Sequence, residues 1–147
     1  MVEENGKAVY IFSKTGDLAV KADVRIGKRL PLHTTAAGKA ILANVPEQAV
    51  NEIVERNGLP QLTPASISNK EDLKSELEMI DKSGVSYNRE ESIEGIWAIA
   101  VPLKNANSGV VGALSLSGPK QRIKKKADEY EDELRNSANE LEINLRY

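Results

Sequence analysis

Three short stretches hold the side chains that could do chemistry. RLPLHTTAAGKAIL, Arg29 to Leu42, carries the only histidine, His33, with Thr34, Thr35 and Lys39 close by. REES, Arg89 to Ser92, carries the adjacent carboxylates Glu90 and Glu91, and ALSLSGP, Ala113 to Pro119, carries Ser115 and Ser117. A phosphate-binding loop needs a glycine five residues before its Gly-Lys pair and a hydroxyl residue after it. Here His33 holds the first place and Ala40 follows Lys39, so that chemistry is rejected. His33 lacks a second histidine to share a metal with, and no EF-hand spacing occurs. A Ser-His pair with Ser115 or Ser117 lacks a third group to orient the ring. His33 therefore reads as a structural histidine satisfied by hydrogen bonds. Glu90 and Glu91 are neighbours in an extended segment and point apart. They do not face each other across a bond as a glycosidase pair must, so they read as solvated or structural.

The two serines are more informative. Period two puts Ser115, Ser117 and Ala113 on one face of a strand. Ile96, Ala98 and Ala100 share a face on the preceding strand. If Ala98 and Ala100 lie beside the serines, the sheet carries a floor of small side chains with room for a small molecule. Hydroxyls turned to a packed core would have to be paired; a solvent-facing strand is the plainer alternative.

The elements that must position these residues follow from patterning. AVYIFS (8–13) and LAVKADV (18–24) read as a hairpin around Gly16, and RIGKRLPLHTT as an irregular connection. AAGKAILANV (36–45) reads as a helix with Thr34 or Thr35 as N-cap, in which Gly38 permits close approach to a strand. A second helix starts at Pro46 and stops at Gly58. A third starts near Ser68 or Asn69, where Ser68 and Glu71 have capping-box spacing, buries Leu73, Leu77 and Ile80, and ends at Gly84. Strands follow over 85–90, 96–103 and 110–118. Ile123, Ala127, Tyr130, Leu134, Ala138, Leu141 and Leu145 then form the apolar stripe of one long helix, with Lys124–Lys126 on a solvated face. Strands, helices, strands, helix: the order indicates an α+β fold with a largely antiparallel sheet.

Composition narrows the function. The 147 residues suit a single domain. A net charge of −2 gives no basic face for holding DNA unaided. With no cysteine, disulfides and thiolate metal sites are excluded, in keeping with a reducing cytoplasm. No apolar run approaches the roughly 20 residues of a bilayer span, so no membrane partner is expected.

GKRLPLHTTAAGKAILANVPEQAVNEIVERNGLPQLTPASI and GVSYNREESIEGIWAIAVPLKNANSGVVGALSLSGP resemble, in order, the two halves of the effector-binding domain of IclR-type transcription regulators. The resemblance runs from about residue 6 to the final helix. It implies a GAF-like domain: a curved antiparallel sheet with helices on one side, a ligand pocket on the other and a long C-terminal helix. It implies a single effector-binding domain over 1–147, with the winged helix-turn-helix that would contact DNA absent from the chain. Matched position by position, it assigns Leu30, Ala36, Ala37, Asn88, Ile96, Ala98, Ser115 and Ser117 to the ligand pocket. Backbone amides at the start of the Ala36 helix could receive a carboxylate. Family members often have cysteine at the position of Ala98, an acidic residue at Asn88 and arginine at Trp97. The expected function is a cytoplasmic regulator that binds a small metabolite, a carboxylic acid above all, without enzymatic activity or cofactor, as a homodimer or tetramer. A serine hydrolase and a purely structural dimerisation module are the alternatives.

Overall fold

The computed structural model describes residues 1–17 and 25–144. Among these residues are six strands and five α-helices. Strands β1 (Val2–Glu4), β2 (Lys7–Val9) and β3 (Arg29–Pro31) form a small antiparallel sheet in that order. A single 3-10 turn over Leu32–Thr34 leads into α1 (Ala36–Leu42). Helices α2 (Glu47–Asn57) and α3 (Lys70–Ser83) follow. Strands β4 (Ser86–Arg89), β5 (Ile96–Asn105) and β6 (Gly109–Pro119) make a second antiparallel sheet. Helices α4 (Lys120–Lys125) and α5 (Ala127–Asn144) complete the described chain. The two sheets meet where the Met1 and Ala113 backbones exchange hydrogen bonds, each 2.9 Å.

Alternation along β5 sorts the core into two layers. Ala98 and Ala100 face Ala36, Ala37, Ala40 and Ile41 of α1, together with Ala113 of β6. Ile99 and Val101 face Ile123 of α4 and Leu134 and Ala138 of α5. Helices therefore cover both faces of the second sheet, rather than one face as the family resemblance implies. The alanine-on-alanine contact lets α1 lie close to β5. A third cluster joins Ala8 and Leu32 to Leu42, Val54, Leu73, Leu77 and Ile80 under α2 and α3.

Several local expectations shift. A hairpin that the patterning did not indicate, β1–β2, is joined through Asn5 and Gly6, both at positive φ, the geometry of an Asn-Gly hairpin turn. Only Ala8 and Val9 of AVYIFS are in a strand, and residues 18–24 lie outside the described residues. The stretch read as irregular contains β3. The N-cap of α3 is Asn69, whose side chain accepts from Asp72 N at 2.8 Å, one residue beyond the predicted Ser68–Glu71 box. Gly38 does allow a close approach, but to the preceding turn. An added Cβ would sit 2.2 Å from Leu32 O and 2.6 Å from Thr35 Oγ1. The last helix is divided at Lys126 (φ −123°, ψ 26°), and Leu141 is left exposed. Leu145 lies outside the described residues.

Candidate functional site: a cavity between the two sheets

The register of β5 against β6 pairs Ala98 with Ser117 and Ala100 with Ser115. On the other edge β4 pairs Asn88 with Ala98. Alternation then turns Asn88, Ala98, Ser115 and Ser117 to the face that α1 covers. Thr35 caps α1, accepting from Gly38 N at 2.9 Å, and this fixes Ala36 and Ala37 against the same face. The result is a cavity with about 500 Å³ of free space, its open mouth included. All eight residues assigned from the resemblance border it: Leu30, Ala36, Ala37, Asn88, Ile96, Ala98, Ser115 and Ser117.

The wall also contains residues that sequence reasoning missed: Met1, Tyr10, Lys28, Thr35, Ser92 and Ile93. Tyr10 and Lys28 come from extensions of β2 and β3, where Tyr10 N donates to Lys28 O at 3.3 Å and Gly27 N to Tyr10 O at 2.7 Å. No local periodicity links positions 10 and 28. Ser92 belongs to the REES stretch, whose carboxylates drew attention away from it.

Asn88 is 3 % exposed, and both ends of its amide are engaged. Its Oδ1 accepts from Glu91 N at 2.8 Å and its Nδ2 donates to Ser92 Oγ at 2.7 Å. Glu91 is buried and leads to a second feature. Lys39 of α1, wholly buried, places its Nζ 2.8 Å from Glu91 Oε1 and 2.8 Å from Glu76 Oε1 of α3. The lysine that imitates a phosphate-loop residue is an ion-pair strut behind the cavity wall. Glu90, at φ +65°, bonds Gly95 N at 2.9 Å and Lys120 Nζ at 2.8 Å. That lysine lowers the Glu90 carboxyl below its ordinary pKa, with Gly95 N assisting.

His33 is not part of this site. Its Nε2 donates to Pro60 O at 3.1 Å, and it borders a separate small hollow with Leu42, Val54 and Leu73. Burial lowers its pKa from 6.5, the Pro60 bond acts in the opposite sense, and Lys7 and Lys39 lower it further. Ser115 and Ser117 thus have no imidazole beside them on the cavity wall. Trp97 packs with the layer beneath α4 and α5, and the Arg89 guanidinium lies 5.7 Å from its ring centre. Among the described residues no group of three or more His, Asp or Glu is placed to hold a metal. Among them, too, no helix is long and apolar enough to cross a membrane.

Comparison with known proteins gives a consistent picture. Residues 1–143 match the family model described as bacterial transcriptional regulator IclR, C-terminal. The HTH-type transcriptional regulator XynR of Escherichia coli K12 is 38 % identical over 117 residues, which cover 80 % of this chain and 46 % of XynR. The chain thus spans less than half the length of the curated relatives it matches. The crystal structure of Thermotoga maritima IclR superposes with a TM-score of 0.92 at 35 % identity, covering 99 % of this chain and 60 % of that one. The inducer-binding domain of PobR from Acinetobacter, solved as a double mutant with 3-hydroxybenzoic acid, superposes with a TM-score of 0.82 at 29 % identity, covering 96 % of this chain and 84 % of that one.

Proposed function

The chain belongs to the IclR family of bacterial transcriptional regulators, matching its C-terminal region, and from that premise we propose that it is the ligand-sensing part of such a regulator. Its ligand is a small metabolite, a carboxylic acid above all, held in the cavity between the two sheets. The carrying observation is the small-residue floor. Ala98 and Ala100 lie in register with Ser117 and Ser115, so hydroxyls and methyl groups line a space that bulkier residues would fill. The PobR domain, which takes 3-hydroxybenzoic acid as its complex states, supports the reading by its similar fold.

The signal passes to DNA through a separate N-terminal winged helix-turn-helix in a cytoplasmic homodimer or tetramer. A ligand can shift such an assembly only by its differential affinity for two arrangements. Coupling of this kind is typically worth about 1–3 kcal/mol.

Thermal unfolding against a panel of small acids tests the proposal. A ligand at about a hundred times its dissociation constant should stabilise the fold by about 2.7 kcal/mol. Ser115→Val, which removes one hydroxyl, and Ser117→Leu, which fills the mouth from an exposed position, should each reduce that stabilisation. Undiminished binding in both variants would refute the assignment of the site.

A further inference from the structure

Lys39 does not border the cavity, yet its helix does. α1 begins on the cavity wall with Ala36 and Ala37. Within the next turn the Lys39 ammonium is wholly buried, 2.8 Å from Glu91 Oε1 and 2.8 Å from Glu76 Oε1. Glu91 belongs to the turn whose Asn88 and Ser92 border the cavity, and its backbone N donates to Asn88 Oδ1. Glu76 lies in the middle of α3, between the buried Leu73 and Leu77. With α2 and the end of α1, α3 also walls an open cleft with about 890 Å³ of free space. Along α1, Lys39 therefore falls between residues that face the cavity and Leu42, which faces the cleft.

Packed apolar side chains can slide past one another. A buried ammonium cannot leave its carboxylates without a large desolvation cost, and its charge-assisted bonds are among the strongest available to a side chain. The other ion pairs of α3, Lys74–Glu47 and Lys70–Glu55 to α2, have side chains 53–70 % exposed, and exposed pairs contribute little. We propose that Lys39 is a positioning residue that couples the cavity wall at Asn88 and Ser92 to helix α3 through its bonds to Glu91 and Glu76. A displacement of the turn reaches α3 because the bonds hold and the turn moves as a unit. A second tie runs in parallel: Ser66 Oγ, in the loop before α3, donates to Glu91 O at 2.6 Å. It engages the backbone of the turn and bypasses the ion pair. The use of the coupling in signalling rests on the cavity being the ligand site; the coupling itself does not.

The test needs no ligand. Urea unfolding of Asn88→Ala, Glu76→Gln and the double variant measures whether two positions that share no hydrogen bond act on one another. The product of the two single effects on the unfolding constant should differ from the effect of the double variant by about fivefold or more, as for residues in one network. In a Lys39→Met background the same cycle should multiply to within about twofold, the behaviour of independent sites. Glu91→Met leaves Lys39 paired with Glu76, so it breaks the route with less risk to folding, and it should give the same result. Ser66→Ala should leave the non-additivity in place. Multiplicative effects in the wild-type background, or non-additivity that survives both Lys39→Met and Glu91→Met, would overturn the proposal. So would non-additivity that disappears with Ser66→Ala instead. The parent reading fails separately. Undiminished ligand binding in the serine variants would remove the cavity and leave these cycles unchanged, whereas multiplicative cycles would leave the cavity standing.

Discussion

Replacing Lys39 with methionine is expected to destabilise the protein by about 3–5 kcal/mol, the range for breaking a buried ion pair by removing one partner. Methionine is close to lysine in shape, so the packing of α1 is nearly conserved and the loss is electrostatic. The lysine side chain has no exposed surface, and its two partners are unequal. Glu76 retains 18 % of its side-chain surface and can turn to water, whereas Glu91 retains 8 %. Most of the penalty therefore falls on Glu91, whose Oε2 already lacks a protein partner. Unfolding entropy of about 2.1 cal/mol/K per residue converts the loss into a fall in Tm of roughly 10–16 °C for a chain of this length.

Thermal or urea unfolding of Lys39→Met, Glu91→Gln and the double variant measures the coupling. If the cost is an uncompensated charge, neutralising Glu91 should recover about 1–3 kcal/mol of what Lys39→Met loses, because contacting residues are not additive. Additive single-variant losses, or a Lys39→Met loss below about 1 kcal/mol as for an exposed pair, would refute the reasoning.

Two further outcomes follow from the same geometry. Gly38→Ala should destabilise by about 1–3 kcal/mol through overpacking against Leu32 O and Thr35 Oγ1. Helix propensity alone would give a gain of about 1 kcal/mol, so the sign of the change in a denaturant titration decides between them. Burial keeps the folded His33 ring neutral to a lower pH than the unfolded ring, which takes up its proton near pH 6.5. Stability should therefore fall as the pH drops from about 6.5 toward the lower folded value, because the unfolded state binds more protons there. His33→Gln should flatten that part of the stability–pH curve, and an unchanged slope would mean that other groups dominate it.

What the sequence reveals depends on the distance over which each feature is specified. The floor of the cavity was legible because period two is local: Ser115 and Ser117 must share a face, as must Ala98 and Ala100. The short connection between the strands then leaves few registers. Thr35, Gly84 and the buried face of α3 are local signals of the same kind. Tyr10 and Lys28 are not, since their pairing depends on a sheet whose strands are separated by the intervening chain. The first hairpin was available in the Asn5–Gly6 pair but was displaced by the stronger β-branched run that follows. Lys39 was hidden for a different reason. Its identity suggested a phosphate loop, while its role comes from carboxylates 37 and 52 positions away.

The segment from Asn88 to Ile96 joins these observations. Asn88 and Ser92 border the cavity. Glu91, between them, holds Lys39 and thereby connects to Glu76 on α3. Glu90, at positive φ, holds Lys120 at the start of α4 and accepts from Gly95 N. Three parts of the molecule are thus tied to one turn. The Asn88 Nδ2 and Oδ1 each use only one of their two hydrogen-bonding positions there, so a further bond to the amide does not require Ser92 or Glu91 N to leave, and the turn that carries both acidic anchors can stay intact.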